Sequence, residues 1–226
     1  MKVLIIGGSS DVGISLAKYL MNLGNEITIT YCNHKCKIDG INIVKLDVRN
    51  ELDIEAVMKK LGHVDLLINM AAISRDNLFL DTTKEDFKEV LDVNLIGTFS
   101  TSKIFSKYNP NGTILNIAST DGIDTYSKYN MLYAASKAGV INMTRSMALS
   151  TKNKVLCLCP NWLDSESTRS MDREYLNSEL ERIRQGRLIS LSEFNECVNK
   201  IIKENKSGDV MRLDTRGEEL WITKVL

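Results

Sequence analysis

Lys2-Val3-Leu4-Ile5-Ile6-Gly7-Gly8-Ser9-Ser10-Asp11-Val12-Gly13 begins with a short apolar run that stops at glycines. After it, Ser15 to Leu23 repeats apolar residues at helical spacing. The pattern predicts a strand, a turn and a helix. Backbone N–H groups and the helix dipole at such a turn favour a phosphate, and small residues let it approach. We therefore predict a nucleotide site here; the alternative is a merely tight connection. The candidate binding residues are Gly7, Ser9, Ser10, Val12 and Gly13.

The rest of the chain alternates the same two patterns. Further strands are predicted at Glu26 to Tyr31, Ile43 to Val48, Val64 to Asn69 and Thr113 to Ala118. Helices are predicted at Glu51 to Leu61, Lys84 to Lys107, Leu132 to Leu149 and Leu191 to Glu204. This alternation implies parallel strands and right-handed crossovers. We predict an α/β fold: a single-domain, Rossmann-like, doubly wound parallel sheet with helices on both faces, spanning residues 1–226.

Composition limits the possible partners. The 226 residues suit one sizeable core, and 29 basic and 29 acidic residues cancel. No global field attracts nucleic acid or an anionic membrane, so we expect a small-molecule partner. The apolar run Val3-Leu4-Ile5-Ile6 is too short for a signal peptide or a bilayer span, and a cytoplasmic protein is expected.

The five cysteines favour reduced thiols over a disulfide framework. Cys32, His34 and Cys36 could be combined on paper with Cys157 and Cys159 into a zinc site. The spacing is poor for one, and Cys157-Leu158-Cys159 alternates like a buried strand. We predict no metal.

Tyr133-Ala134-Ala135-Ser136-Lys137 places a phenol and an ammonium on one face of a predicted helix. A cation beside a phenol favours the phenolate, so the pair could bring a weak acid into the range useful for proton transfer. A chance pairing on a helix is the alternative.

Together, the five-residue gap between Gly7 and Gly13 and the Tyr133-x-x-x-Lys137 pair resemble the short-chain dehydrogenase/reductase family, whose glycine motif is Thr-Gly-x-x-x-Gly-x-Gly. The resemblance runs from about Lys2 to about Asp214. Asp11 replaces the middle glycine of that motif. A carboxylate there would repel a pyrophosphate unless it caps the first helix, and we expect a capping role.

The resemblance implies a set of site residues. The catalytic set is Asn94, Ser119, Tyr133 and Lys137: Tyr133 exchanges a proton with the substrate oxygen, Ser119 holds that oxygen, Lys137 binds the nicotinamide ribose and favours tyrosinate, and Asn94 holds a water of the proton relay. Ser119 is preferred over Ser136, although the gap from Ser119 to Tyr133 is about one residue longer than the family resemblance implies, so the loop from Thr120 to Leu132 must bulge. Further coenzyme contacts are implied at Asp47, Val48, Asn69, Ala71, Pro160, Asn161 and Leu163.

The end of the second predicted strand bears on the coenzyme. Enzymes that prefer NAD usually carry an acidic residue there, but this chain has Tyr31-Cys32-Asn33 and no carboxylate before Asp39. His34 and Lys35 are close enough in sequence to meet a 2′-phosphate. We expect NADP, with NAD as the alternative.

The resemblance also implies the activity. We expect hydride transfer between NAD(P)(H) and a carbonyl or secondary alcohol, in a chain that looks most like bacterial 3-oxoacyl-[acyl-carrier-protein] reductases. The polar segment from Ser165 to Arg187 is either a flap over the substrate or a solvated helix, and we favour the flap. A homodimer or homotetramer is implied. The competing hypothesis, drawn from Asp11 and other departures, is a nucleotide-binding regulatory protein that has lost turnover.

Overall fold

The structure, a computed structural model, describes residues 1–225. Its strands are β1 Lys2–Ile6, β2 Glu26–Tyr31, β3 Asn42–Lys45, β4 Leu66–Asn69, β5 Thr113–Ile117, β6 Lys154–Pro160, β7 Val210–Arg216 and β8 Glu219–Lys224. Its α-helices are α1 Asp11–Asn22, α2 Glu51–Leu61, α3 Lys84–Leu91, α4 Gly97–Tyr108, α5 Met131–Ser150, α6 Glu166–Arg169, α7 Arg173–Arg182 and α8 Leu191–Glu204. Short helical turns lie at Phe79–Asp81, Asp92–Ile96 and Thr120–Gly122.

The strands form one sheet in the order β3-β2-β1-β4-β5-β6-β7-β8, parallel except for β8, which runs antiparallel to β7. After β1 the chain adds β2 and β3 on one side, and then crosses to add β4 on the other side. The carboxyl ends of β1 and β4 therefore flank the point where the winding reverses, which is where open α/β sheets bind ligands. The predicted doubly wound fold is confirmed.

Alternate residues of β1 point to opposite layers of the core. Val3 and Ile5 pack into the cluster that holds the apolar faces of α1 and α8, including Leu16 and Phe194. Leu4 and Ile6 pack into the opposite cluster, which contains the buried residues of α2 and α4. A strand covered on both faces is apolar throughout, which explains why the first five-residue run has no polar position after Lys2.

The structure departs from the predicted elements in three places. The third strand ends at Lys45 rather than Val48, because Asp47 accepts the N–H of Arg49 and its carbonyl accepts the N–H of Asn50, which turns the chain out of the sheet. The helix predicted from Lys84 to Lys107 is interrupted by a π-helical turn at Asp92–Ile96.

The third departure is the C-terminal hairpin, which the sequence did not predict. Strands β7 and β8 are joined through Gly217, whose φ of 57° suits a tight turn. Strand β8 covers the edge of the parallel sheet. Within residues 1–225, no helix has both the length and the apolarity needed to cross a bilayer.

Candidate active site

A cavity of about 480 Å³ opens at the carboxyl ends of the central strands. The first turn of α1 forms one wall, the segment after β4 a second, and the residues after β5 and β6 the others. The predicted residues that line it are Ser10, Val12, Ser119, Tyr133, Lys137, Pro160, Asn161 and Leu163. The fold therefore brings residues from distant parts of the chain to one place, as expected for this end of a parallel sheet.

The glycine turn is shaped by close packing against the β4 side. Gly7 has a φ of 76°, and a Cβ there would lie 2.5 Å from Cα of Ala71. At Gly13 a Cβ would lie 2.6 Å from Cα of Gly8, so the helix can start this close to the turn only with glycine. Gly7 and Ala71, which are both predicted to contact the coenzyme, thus pack against each other, and their contact constrains the conformation of the turn.

The N-terminus of α1 presents free main-chain donors. Ser10 is the N-cap, and its hydroxyl accepts the N–H of Gly13 at 3.2 Å. The N–H groups of Asp11 and Val12, on the cavity wall, have no hydrogen-bond partner within residues 1–225. Unpaired donors at a helix N-terminus suit an anion such as a phosphate.

Asp11 does not have the expected capping role. It is the first residue of α1, and its carboxylate accepts the N–H of Glu166 and lies 3.8 Å from the guanidinium of Arg169. Because Ser10 already caps the helix, the side chain of Asp11 is free to make contacts outside α1. The carboxylate connects the glycine turn to α6, and its charge is paired.

Ser119 and Tyr133 lie together on the cavity wall. Ser119 follows β5, and its Oγ accepts the N–H of Asp121 at 3.1 Å. Tyr133 lines the same wall, and the Ser119 hydroxyl acts to lower the pKa of its phenol. The expected bulge in the intervening loop begins as the helical turn Thr120–Gly122, which is packed so closely on α5 that a Cβ on Gly122 would lie 2.6 Å from the N of Ala138.

Lys137 is buried one turn after Tyr133, with Nζ 5.3 Å from the centroid of the Tyr133 ring. Nζ donates to the carbonyl oxygen of Ile117 at 2.9 Å. Burial lowers the pKa of Lys137 to about 8. The ammonium is therefore held at the end of β5, beside the tyrosine.

The expectation that Lys137 lowers the pKa of Tyr133 is wrong for these side chains as they stand. Burial raises the pKa of Tyr133 well above its ordinary value, the charge of Asp121 raises it further, and the hydrogen bond with Ser119 only partly opposes them. The ammonium lies over the ring, 5.3 Å from its centroid, and its hydrogen bond goes to the Ile117 carbonyl rather than to the phenol. The neutral phenol is the favoured form.

Asn94 occupies the π-helical turn and is completely buried. Its side chain accepts the N–H of Ile73 and donates to the Ile73 carbonyl and to Oγ of Ser136, at 2.9, 2.9 and 3.0 Å. Asn94 thus ties the segment after β4 to α5. Ser136 is also buried, donates to the Tyr133 carbonyl and does not line the cavity, which agrees with the preference for Ser119.

The side chain of Asn69 is directed into the protein rather than toward the cavity. Its Nδ2 donates to Ser102 and Asn116, both at 2.9 Å, and its Oδ1 accepts from Thr101 at 2.8 Å. Asn69 therefore joins β4 to β5 and α4. Only its main chain remains for a coenzyme contact.

The residues expected near adenine and its ribose lie at the ends of β2 and β3, outside the cavity lining. Tyr31 ends β2, with Cys32 and Asn33 after it, and Asp47 and the buried Val48 follow β3. Sequence reasoning missed Arg49. Its guanidinium binds both oxygens of Asp47, at 2.6 to 3.2 Å, and the hydrogen bond holds the pKa of Asp47 below its usual range.

Pro160 ends β6, and the residues after it turn across the cavity mouth. Asn161 donates to Asp214 at 3.2 Å and accepts the N–H of Trp162 at 3.0 Å, while Leu163 forms a bridge to Ile189. The polar segment from 165 to 187 folds into α6 and α7. Ser165, Ser167, Thr168 and Met171 from its first half line the cavity.

The cysteines form no metal centre. Cys157 and Cys159 are buried on β6 with their sulfurs 3.8 Å apart, and Cys32 and Cys36 are half-buried elsewhere. No group of three or more His, Cys, Asp or Glu side chains within residues 1–225 is arranged to hold a metal ion.

Two carboxylates that the sequence analysis missed also face the cavity. Asp121 follows Ser119 by two residues and Asp76 lies in the segment after β4. Asp121 could have been noticed as the acid next to the predicted catalytic serine. Asp76 carries no sequence signal, since only the fold brings its loop to the cavity.

Comparisons with known proteins agree with this geometry. A family model described as short chain dehydrogenase matches residues 1–176. A 3-oxoacyl-[acyl-carrier-protein] reductase of Thermotoga maritima is 32% identical over 184 residues, 77% of this chain and 74% of that protein. A 3-oxoacyl-[acyl-carrier-protein] reductase of Mycobacterium tuberculosis is 32% identical over 226 residues, 94% of this chain and 90% of that protein.

A solved structure of an actinorhodin polyketide ketoreductase variant with NADPH superposes with a TM-score of 0.77 at 26% identity, covering 90% of both chains. The family model spans the glycine turn, Ser119, Tyr133 and Lys137, and the identity to the curated relatives extends over most of the chain. The chain belongs to the short-chain dehydrogenase/reductase family of NAD(P)-dependent oxidoreductases.

Proposed function

We propose that this enzyme reduces a carbonyl group with NADPH, and that Tyr133 supplies the proton. The observation that carries the proposal is the meeting of Ser119, Tyr133 and Lys137 on one cavity wall, next to a helix N-terminus with free N–H donors. The donors of Asp11 and Val12 would hold the pyrophosphate. The coenzyme, when bound, supplies the hydride.

Ser119 and Tyr133 would orient the substrate and supply the proton. Ser119 would donate a hydrogen bond to the substrate oxygen and so orient the carbonyl. Tyr133 would donate its proton to the same oxygen as hydride reaches the carbon. A neutral phenol is the form that reduction requires, which agrees with the raised pKa of Tyr133.

Lys137 completes the site as the cation that limits the charge left on Tyr133. Its ammonium is oriented by the Ile117 carbonyl and lines the cavity, where it would bind the nicotinamide ribose as the family resemblance implies. A phenolate formed beside this ammonium is more stable than one formed beside a neutral side chain. We propose that the side chain of Asn94 holds the segment after β4 against α5. The main chain of Asn94 would then hold the water of the proton relay.

NADP is the proposed coenzyme. Arg49 projects from the loop after β3, and Cys32 at the end of β2 lies within range of its charge. Its Nη1 has no hydrogen-bond partner within residues 1–225, whereas Nε and Nη2 bind Asp47. This free donor, with the exposed His34 and Lys35, suits a 2′-phosphate. The solved ketoreductase that resembles this chain contains NADPH.

The coenzyme proposal is tested by replacing Arg49. We expect Arg49→Ala to raise KM for NADPH by about tenfold, as expected for loss of one charged hydrogen bond, with KM for NADH changing less than twofold. Lys59→Ala, which removes a surface cation of α2, is the control. A wild-type preference for NADH would contradict the proposal.

A 3-oxoacyl thioester is the proposed substrate, because the similar Thermotoga and Mycobacterium proteins are 3-oxoacyl-[acyl-carrier-protein] reductases. The test is oxidation of NADPH in the presence of an acetoacetyl thioester, followed at 340 nm. We expect turnover that depends on the thioester. If the enzyme did not reduce this thioester but did reduce another ketone, the proposed substrate would be wrong and the proposed carbonyl reduction would stand.

We also propose a homo-oligomer. Ile96 and Phe99 lie about one turn apart, with 49% and 44% of their surfaces exposed. Exposed apolar residues in such a position favour association with another chain. Light scattering should give a mass of two or four chains, and Phe99→Glu should lower it to one; a wild-type monomer would contradict the proposal.

A further inference from the structure

Two carboxylates stand beside the proposed proton donor. Asp121 and Asp76 both line the cavity, and the negative charge of each acts on the phenol of Tyr133. They come from different sides, since Asp121 follows β5 and Asp76 follows β4. A substrate carbonyl bound at Tyr133 therefore shares the cavity with both carboxylates.

Asp121 is fixed in place by neutral donors. Thr125 donates to Oδ1 at 2.7 Å and Asn130 donates to Oδ2 at 2.8 Å. Burial raises the pKa of Asp121, and these two hydrogen bonds oppose that rise because they favour the charged carboxylate. Asp76 is exposed, and its hydrogen bond from the hydroxyl of Ser74, at 3.2 Å, is also neutral.

Within residues 1–225, no basic side chain forms a hydrogen bond or an ion pair with Asp121 or Asp76. Among residues 1–225, Lys137 is the one basic side chain that lines the cavity, and it donates to Ile117. Arg182 is the basic residue whose charge reaches Asp121, but Glu179 binds its guanidinium through two hydrogen bonds of 3.1 and 2.6 Å. The field next to the reacting carbonyl is therefore negative.

We propose that Asp121 and Asp76 determine substrate specificity by excluding a negative charge next to the carbonyl that is reduced. The enzyme reduces a substrate with an ester or thioester at that position and does not reduce the free 3-oxo carboxylate. The inference rests on the proposed function, because it takes Tyr133 as the point at which the carbonyl binds. It concerns the reacting end of the substrate only.

Ethyl acetoacetate and acetoacetate give the direct test, since they share the ketone and differ in charge two carbons away. For the wild type, kcat/KM for the ester should exceed that for acetoacetate by at least about 100-fold. Asp121→Asn and Asp76→Asn should each lower this ratio by about tenfold, mainly through a lower KM for acetoacetate. Asp124→Asn, which removes an acid of the same loop that faces Arg212, should leave the ratio unchanged.

A binding measurement separates this inference from the proposed function. Both compounds are titrated into Tyr133→Phe saturated with NADPH, and coenzyme fluorescence is followed, so that no turnover is needed. Tighter binding of the ester, with a gain for acetoacetate in Tyr133→Phe/Asp76→Asn, supports the inference even if the wild type reduces neither compound. Equal binding of the two compounds, or a ratio that both Asp variants leave unchanged, overturns it.

Discussion

The ammonium of Lys137 donates a hydrogen bond to the Ile117 carbonyl oxygen at 2.9 Å, although Lys137 is buried. Burial opposes the charge and lowers the pKa from 10.5 to about 8. Below pH 8 Lys137 is protonated in both the folded and the unfolded state, and burial of its charge lowers the free energy of unfolding. Between pH 8 and 10.5 the unfolded state binds more protons, so this contribution makes the fold more stable as pH rises.

We therefore predict that the free energy of unfolding gains roughly 1.5 kcal/mol from Lys137 between pH 8 and 9.5. Lys137→Met should lack this gain, and Lys103→Met on the surface should keep it. Urea unfolding at pH 8.0 and 9.5 measures the difference between variants. Above about pH 10 the raised pKa of Tyr133 acts in the opposite sense, which limits the useful window. If the free energy of unfolding changed with pH by the same amount in the wild type and in Lys137→Met, the prediction would be wrong.

Gly7→Ala tests the packing of the glycine turn. The new Cβ would meet the main chain of Ala71 at 2.5 Å, at a positive φ, and main-chain atoms cannot rotate away as the end of a side chain can. We expect a loss of at least about 3 kcal/mol in the free energy of unfolding.

Gly24→Ala is the matched control for that change. Gly24 also has a positive φ, of 82°, but no atom within 4 Å of a new Cβ. Backbone strain alone should cost about 1 kcal/mol. Equal losses for the two variants, measured by urea unfolding, would show that contact with Ala71 does not constrain the turn.

Asp11→Ala tests the connection between α1 and α6. Loss of the carboxylate removes the acceptor for the Glu166 N–H and the partner of Arg169. We expect tryptic cleavage within residues 165–187 to become about fivefold faster, because a half-exposed polar contact of this kind contributes about 1 kcal/mol. The melting temperature should change little. Asp81→Ala, at an exposed position, is the control and should leave the cleavage rate unchanged. An unchanged cleavage rate in Asp11→Ala would show that the contact between α1 and α6 has no effect.

The sequence predicted the central part of the fold because the signals there are local and strong. The apolar run before Gly7 and the alternation of strands and helices require only neighbouring residues. The same is true of the order of Gly7, Gly13, Tyr133 and Lys137. These elements fix which strand ends meet, and so which segments surround the cavity.

What the sequence could not show depends on contacts between distant segments. Asp11 was expected to cap a helix, but its partner Glu166 lies 155 residues away. The pKa of Tyr133 depends on burial and on Asp121, neither of which the spacing to Lys137 reveals. Arg49 has no motif of its own, and its relevance comes from the parallel pairing of β2 with β3.

The hairpin after Asp214 was missed for a different reason. The alternating residues of Glu219–Lys224 are largely exposed, so the hydrophobic signal of a buried strand is weak. Only Gly217 indicates the turn. An edge strand of this kind is recognised from its hydrogen bonds with β7 and not from its composition.

The rate of hydride transfer in the Tyr133→Phe variant shows whether Tyr133 is the proton donor. With an acetoacetyl thioester and NADPH, the rate of a single turnover should fall by about 1000-fold, while the dissociation constant for NADPH stays within about twofold. Tyr126→Phe, an exposed tyrosine of the preceding loop, should keep the wild-type rate. A Tyr133→Phe rate within about threefold of the wild type, with coenzyme bound normally, would contradict the account.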